Sequence, residues 1–185
     1  MVIVKSRSFS SSNWQVRHTS IAAANSIQLN STAAAASATT VWNSTAPTST
    51  VFSIGTGADT NANGGTYVAY CFAPVAGYSN GFSFTGNGST DGSFVYLGFR
   101  PRLILLKCSS TTGNWTLLDT AREGYNVDND PLYPNLSGAE GTADLLDITS
   151  NGFKLRTTDA SVNSSGATYV GYAWAEAPFA YSRAR

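Results

Sequence analysis

The sequence predicts an all-β protein made of two tandem related β-sandwich-like units, and three observations lead to this. One alternating pattern of β-branched and aromatic residues occurs twice, at residues 66–73 and 168–175. Gly, Asn, Ser and Pro separate short apolar segments along the chain, as turns separate strands. No segment shows the sustained 3.6-residue periodicity of a long helix.

The segment at residues 168–175 is the clearest strand. Alternate side chains of a strand point to opposite sides of its sheet. One side carries Thr168, Val170, Tyr172 and Trp174, and the other carries Tyr169, Gly171, Ala173 and Ala175. Neither side is charged, so we expect both sides to be covered, as in a strand at the centre of a sandwich.

The matching pattern at residues 66–73 is one part of an internal repeat, and such a repeat decides the architecture. Trp14 and Trp115 stand 101 positions apart, and so do Phe52 and Phe153. A single tryptophan would mean little, but the order and spacing of the matches are kept along both copies. The repeat therefore indicates a duplicated chain.

The repeat divides the chain into a first unit, residues 1–80, and a second unit, residues 81–185. The second unit begins with a hairpin pattern, in which segments 82–85 and 93–98 flank a turn rich in Gly, Asn and Asp. The first unit begins at Met1, already inside the strand that follows this hairpin in the second. We therefore expect the first unit to lack its front strands, with either the hairpin serving both units or a neighbouring chain completing the first.

The other strands follow from alternation, β-branched residues and flanking turn residues. In the first unit these signals predict strands at residues 1–6, 14–18, 40–42, 50–54 and 66–73. In the second unit they predict strands at 103–107, 114–119, 145–149, 152–157 and 168–175, with a tight turn at 150–152. Residues 19–40, 55–65 and 121–144 are expected to be irregular, apart from a helical turn near 139–140.

The charge of the chain is low and unevenly distributed. Charged residues are 12% of the sequence, against about 25% in an average protein. The formal net charge of +0 predicts no nucleic-acid partner and no anionic membrane partner. No apolar run approaches the ~18 residues of a membrane span, and the first residues are too short for a secretory signal.

Only Asp59 of the acidic residues lies in the first unit, so we expect that unit to be the more covered half of an assembly. A Ser/Ala-rich surface without a partner is the alternative.

The two cysteines stand where a small residue suffices, since Cys71 matches Ala173 in the repeat and Cys108 matches Ser6. We expect two buried free thiols, as in a protein assembled in a reducing cytosol. One disulfide joining the two units is the alternative.

No motif predicts a catalytic residue, a metal site or a cofactor. His18 is the only histidine, and the repeat has Asp119 in its place, so we interpret it as a strand residue with a polar tip. Residues 126–130 resemble the start of a calcium loop but lack its glycine and its closing glutamate. The acids of the second unit are glycosidase candidates only by their number. We expect Asp119 and Arg122 to form a structural ion pair.

The loop after residue 121 contains the candidate binding residues. Its candidate glycan-binding residues are Tyr125, Asp128, Asn129, Asp130 and Tyr133. A planar ring beside acids and amides suits the hydroxyl groups of a sugar. A solvated acidic loop is the alternative, and we interpret the tryptophans as core residues.

The second unit contains a characteristic set of motifs: Phe84-Thr-Gly-Asn-Gly88, residues 94–101, Lys107, Asn114-Trp115, and residues 119–122, 150–155, 167–170 and 175–179. As a set these motifs resemble a repeat at the C-terminal end of bacteriophage tail-fibre-like virion proteins. The resemblance covers residues 81–185 well and residues 1–80 more weakly. It carries over no functional residue.

This resemblance implies a β-rich, non-enzymatic structural module of the virion, used in host-surface recognition or tail assembly. The implied partners are other copies of the chain, in a trimer or a ring, other virion proteins, and a host surface glycan. The chain would assemble in the host cytoplasm without inserting into a membrane. A free-standing carbohydrate-binding module is the alternative, and a polysaccharide depolymerase is the less favoured one.

Overall fold

The computed structural model describes residues 1–122, 126 and 130–177, and these residues form an all-β protein, as predicted. Its strands are β1 (Val2–Ser6), β2 (Gln15–Arg17), β3 (Asn25–Gln28), β4 (Ala36–Ser37), β5 (Tyr67–Cys71), β6 (Ser79–Thr85), β7 (Phe94–Tyr96), β8 (Pro101–Cys108), β9 (Trp115–Asp119), β10 (Leu146–Thr149), β11 (Gly152–Leu155) and β12 (Thr168–Ala175). Its helices are the single turns α1 (Thr39–Trp42), α2 (Ala58–Asn61) and α3 (Ala160–Asn163). Within the described ranges, no helix has the length and apolar character needed to cross a membrane.

The strands form three sheets that stack as three layers. A four-stranded sheet in the order β6-β12-β8-β9 is the middle layer. One side of it packs against the three-stranded sheet β10-β11-β7 and the other against the five-stranded sheet β4-β3-β2-β1-β5. The middle and three-stranded sheets belong to the second unit, and the five-stranded sheet belongs to the first. Strand β6 starts at Ser79, just before the boundary drawn from the repeat.

Strand β12 lies at the centre of the middle sheet, and both of its sides are covered, as predicted. Tyr169 faces the core shared with the three-stranded sheet, whereas Val170 faces the core shared with the first unit. Gly171 is small for a steric reason: a Cβ there would lie 2.4 Å from the Leu105 carbonyl oxygen and 2.5 Å from the Phe82 ring. Each large apolar side chain buried along this strand contributes about 1.5–3 kcal/mol relative to its exposed state.

Aromatic and polar contacts join the two units in the core between the middle sheet and the five-stranded sheet. The Trp115 indole Nε1 donates a hydrogen bond to the Gln28 carbonyl at 2.8 Å. The rings of Phe72 and Trp174 meet edge to face with their centroids 5.3 Å apart. Since burial of apolar surface is the main stabilising term in folding, these contacts make the stability of each unit depend on the other.

A buried lysine also joins the units. Lys107 is fully buried, and its Nζ donates to the carbonyls of Cys108 at 2.8 Å and of Thr32 at 3.1 Å. Burial lowers the pKa of Lys107 to about 8. Its counterpart Lys5 likewise donates to the next carbonyl along the chain, that of Ser6, at 3.1 Å. The repeated lysine therefore holds the chain at the end of the same strand in each unit.

The internal repeat reappears in the pairing of the strands. In the first unit β1 pairs with β5 so that Ile3 lies opposite Tyr70. In the second unit β8 pairs with β12 so that Leu105 lies opposite Tyr172, and both residues stand 102 positions after their counterparts. Strands β2 and β9 add to β1 and β8 in matching register. The two units therefore share strand order and register in these three strands.

A repeated tyrosine corner gives a second correspondence. The Tyr169 hydroxyl accepts from the Ser164 backbone N–H and donates to the Ala160 carbonyl, both at 2.7 Å. The Tyr67 hydroxyl makes the equivalent two bonds around α2, also at 2.7 Å each. In both units this hydroxyl fixes the loop that precedes the central strand.

Several local predictions for the first unit and the long loop are wrong. Residues 40–42 lie in the helical turn α1, and residues 50–54 form no strand, although Phe52 packs edge to face on Trp42 with centroids 6.4 Å apart. Residues 19–40 contain β3 and β4, residues 55–65 contain α2, and residues 139–140 are not helical. The counterpart of residues 50–54 is β11, which forms because β7 and β10 pair with it on both sides. The described part of the first unit offers no such partners.

In the described residues, β5 is an edge strand of the first unit's sheet. Strand β12 is paired on one side by β8 and on the other by β6, but its counterpart β5 is paired only by β1 and ends the five-stranded sheet. The predicted hairpin of residues 82–85 and 93–98 is wrong: β6 pairs with β12 in the middle sheet, β7 pairs with β11 in the three-stranded sheet, and in the described residues the two do not pair with each other. In the described residues nothing takes the equivalent place beside β5.

Candidate functional site

The predicted glycan-binding loop is described only in part. Tyr125, Asp128 and Asn129 lie outside the described residues, whereas Asp130 and Tyr133 are both half-buried. Between Asp130 and Tyr133, Leu132 exchanges two backbone hydrogen bonds with Leu117 of β9, at 2.8 and 2.9 Å. The described part of this loop is therefore fixed along the outer edge of β9.

Tyr133 is held in place by the returning chain. The Gly141 N–H donates to the Pro131 carbonyl at 2.8 Å, and a Cβ at Gly141 would lie 3.3 Å from the Tyr133 hydroxyl. Burial, and then the negative charge of Asp159, raises the pKa of Tyr133. The structure thus brings together two of the five predicted residues, Asp130 and Tyr133, on an anchored segment.

Two of the described acids near this loop, Glu140 and Asp147, are paired with arginines. Glu140 lies 2.6 Å from Arg122, and Asp147 lies 2.5 Å from Arg156. The predicted pair of Asp119 and Arg122 is confirmed at 3.8 Å. Exposed pairs of this kind contribute about 0–1 kcal/mol each, so they orient the loop more than they stabilise the fold. Among the described residues, no three His, Cys, Asp or Glu side chains come close enough to hold a metal ion.

His18 is buried between the two units and contacts both of them. Its Nδ1 accepts from the Ser20 backbone N–H at 3.1 Å, so the ring proton is on Nε2, which donates to the Gly171 carbonyl at 3.0 Å. Burial lowers the pKa of His18 to about 4, and the positive charges of the Met1 amino group and Arg17 act in the same direction. The imidazole is therefore neutral at physiological pH.

Arg17 is the polar residue that sequence reasoning missed. Its side chain is buried, and its Nη1 donates to the carbonyls of His18 and Ile21, the latter at 2.9 Å. Its Nε has no hydrogen-bond partner among the described residues. Burial lowers its pKa. A buried guanidinium with a free donor offers a hydrogen bond to any acceptor that approaches it, and a carboxylate or a carbonyl would suit it.

Arg17 lines a groove of about 520 Å³ at the end of β1 and β5. We call this space the Arg17 groove; its walls include Val2, Arg17, Val51, Phe52, Cys71 and Phe72. In the second unit Leu118 takes the place of Arg17 and is buried in the core. There Phe82 of β6 packs on Phe153, the counterpart of Phe52, with ring centroids 5.3 Å apart. The first unit has no described counterpart of Phe82, and the groove lies on the same side of its sheet.

The open side of β5, which faces away from β1, is the second feature of the site. We call it the β5 edge. Ala69, Tyr70 and Cys71 are exposed along it, and the Tyr70 side chain is 45% exposed. Both cysteines are free thiols, as expected, but the predicted burial of Cys71 is wrong. Its counterpart Ala173 is buried because β6 covers the equivalent side of β12.

The repeat contained a signal for this site. Arg17 replaces a leucine at the matching position, and a cation where the other copy has a core residue indicates a changed environment. Comparison of the two copies residue by residue would therefore have singled out Arg17. The exposure of Cys71 had no such signal, because a small residue fits a covered and an open strand equally well.

The fold and the site together define a β protein with two copies of one strand arrangement, and in the described residues one copy has an unpaired strand edge. The chain matches the family described as Domain of unknown function (DUF7483) over residues 1–178, and it belongs to this family. The matched range includes both units. No curated protein and no solved structure matches the chain.

Proposed function

We propose that the chain is a structural protein of a bacteriophage virion, of the tail-fibre type, that contributes to host-surface recognition or tail assembly without catalysing a reaction. It works in the virion after assembly in the host cytoplasm. Its partners are copies of itself and other virion proteins. The resemblance of the second unit to the C-terminal repeat of tail-fibre-like proteins suggests this role.

The β5 edge is the observation that carries the proposal. Soluble proteins protect exposed strand edges with charged residues, proline or bulges, because an open edge pairs with other chains. Strand β5 reads Tyr-Val-Ala-Tyr-Cys and has none of these devices. A strand edge that is unpaired in the described residues, without charged side chains and beside the Arg17 groove, suits a protein that is covered by a neighbour in an assembly.

The charge distribution supports a structural role over a depolymerase. A glycosidase places two carboxyl groups about 5–9.5 Å apart across the substrate. The described acids Glu140 and Asp147 are each bound to an arginine, Arg122 and Arg156. These two acids are therefore engaged in structural contacts with arginines. Reducing ends released from host polysaccharide by the purified protein would contradict the non-enzymatic part of the proposal.

The test is immunogold labelling of particles purified from a lysate of the phage or prophage that encodes the chain. We expect gold on the tail, and a host cytoplasmic protein labelled in parallel serves as the control. A chain that is abundant in the lysate but absent from the purified particles would contradict the proposal.

A carbohydrate-binding module is the second candidate, and the fixed position of Tyr133 favours it. A ring held half-buried loses little freedom when a sugar stacks on it. Binding to an array of host envelope glycans, weakened at least tenfold by Tyr133→Ala, would support this candidate. Tyr96→Ala is the matched control, since Tyr96 is an exposed tyrosine on β7. No glycan binding by the wild-type protein would exclude it.

A further inference from the structure

We propose that the β5 edge is the contact between two copies of this chain, and that the two β5 strands pair antiparallel about a two-fold axis. The inference rests on the proposed function, because it names the partner of the assembly. The pairing of the two β5 strands joins the two five-stranded sheets into one continuous sheet. A two-fold axis closes after two copies, so a trimer or a ring would need a different contact.

The phase of the hydrogen bonds along β5 supports this pairing. The Arg7 N–H donates to the Thr66 carbonyl and the Phe72 N–H to the Met1 carbonyl, both at 2.8 Å. Bonded positions alternate along an antiparallel pair, so the even-numbered residues of this segment bond towards β1. The backbone groups that point outwards are therefore those of Tyr67, Ala69 and Cys71. The described residues place no hydrogen-bond partner on these groups.

The second unit contains the same edge in its paired form. Gly171 of β12, the counterpart of Ala69, lies opposite Phe82 of β6 in an antiparallel pair. The pairing of β12 with β8 has the same register as that of β5 with β1. The backbone of this strand therefore accepts an antiparallel neighbour on its outer side without rearrangement, and β5 has the matching backbone.

The sequence of β5 is suited to pairing with itself. A register that uses all five residues of β5 places Ala69 on the two-fold axis, opposite its own copy. Tyr67 then lies opposite Cys71, and each outward-pointing residue meets another. Val68 lies opposite Tyr70, and an aromatic and a β-branched residue paired across strands contribute about 0.2–1 kcal/mol. No charged side chain occurs in the strand, so two copies meet without repulsion.

The other long edges of the described sheets are already occupied in part. Leu132 exchanges backbone hydrogen bonds with Leu117 on the outer side of β9. On the outer side of β6, Val75 bonds to Ser79, and the Ser93 hydroxyl donates to the Thr85 carbonyl at 2.9 Å. The remaining edge strands β4, β7 and β10 have only two, three and four residues, against five in β5. The β5 edge is therefore the best-suited surface for strand pairing in the described part of the chain.

Exposed apolar side chains next to the β5 edge favour its burial. Tyr70 stacks on Trp14 with ring centroids 6.4 Å apart, which leaves its outer face in solvent. Val51 is 62% exposed at the rim of the Arg17 groove, beside Cys71. A second copy on the β5 edge brings its own sheet alongside these residues. Apolar area removed from water stabilises the contact by about 25 cal/mol per Å².

A cysteine on the two-fold axis tests the proposal. Residues opposite each other at a hydrogen-bonded pair have Cα and Cβ atoms about 5.5 Å apart, wider than the ~3.5–4.5 Å between the Cβ atoms of a disulfide but within reach of a short bis-maleimide reagent. Ala69→Cys in a Cys71→Ser background should therefore form a covalent dimer with such a reagent. Ser37→Cys in the same background is the matched control, since Ser37 is exposed on the opposite edge strand of the same sheet. The buried Cys108 is present in both proteins.

The proposal predicts a covalent dimer for Ala69→Cys and none for Ser37→Cys. A folded Ala69→Cys protein that stays monomeric, or equal cross-linking of both variants, would overturn it. Tyr70→Lys is a second variant, for use if the cysteine protein fails to fold. It should raise the dissociation constant of the dimer at least tenfold over that of the wild type. If the chain is found in virions but does not cross-link, the proposed function stands and only the β5 pairing falls.

Discussion

Lowering the pH from 6.5 to 4 should destabilise the fold through His18. The imidazole is 2% exposed, and burial lowers its pKa from 6.5 to about 4. The unfolded chain takes up a proton near pH 6.5, whereas the folded chain stays neutral until about pH 4. Between these values the unfolded state binds more protons, so the free energy of unfolding falls as the pH falls.

The magnitude follows from the two pKa values. The difference between 6.5 and about 4 corresponds to about 3 kcal/mol, since one pKa unit is ~1.4 kcal/mol. The whole contribution is present above pH 6.5 and is lost by pH 4. A domain of this size has a total stability of about 5–15 kcal/mol, so the loss is readily measured.

The assay is urea unfolding of the wild type and His18→Gln at a series of pH values. Glutamine keeps a donor at the position of Nε2, which bonds to Gly171, but it does not titrate. Carboxyl groups that titrate near pH 4 affect both proteins equally, so the difference between the two curves isolates His18. We expect that difference to change by about 3 kcal/mol across the window. Parallel curves would refute the reasoning.

Three further predictions concern buried positions. The free energy of unfolding should rise by up to about 3 kcal/mol between pH 8 and 10.5 in the wild type but not in Lys107→Met. The reason is that Lys107 has a pKa of about 8 in the folded chain, so the unfolded chain binds more protons in this range. Urea unfolding at these pH values checks the prediction. Gly171→Ala should destabilise by about 1–3 kcal/mol through overpacking, whereas Gly138→Ala, with open space around it, should change little; equal urea midpoints would contradict this. Tyr169→Phe should cost about 1–3 kcal/mol because the Ser164 N–H loses its partner, and an unchanged thermal midpoint would rule out the tyrosine corner as a stabilising feature.

The sequence alone predicted the structure where the pattern of apolar residues depends directly on the environment of those same residues. The alternation of residues 168–175 predicted a strand covered on both sides, and Tyr169 and Val170 do lie in different cores. The repeat led us to expect a first unit without front strands, which stays a prediction; among the described residues β5 is an edge strand. In these cases the pattern of apolar residues and the repeat each determine the environment directly.

The sequence failed where a distant partner decides the local structure. Residues 50–54 match a strand of the second unit, but their backbone has no partner strand in the described part of the chain, so Phe52 packs on Trp42 from an irregular loop. The candidate site was also missed for this reason. The burial of Arg17 and the exposure of Cys71 both depend on which neighbours surround β5.

Sedimentation velocity of the wild type beside Ala69→Pro tests the account most directly. Proline removes an outward N–H that β1 does not use, so the fold survives while the edge loses a central hydrogen bond. We predict that the 19.4 kDa wild-type chain sediments as a dimer and that the folded variant sediments as a monomer. A wild-type chain that sediments as a monomer, or a variant that remains a dimer, would contradict the claim that this protein works through assembly along its open strand.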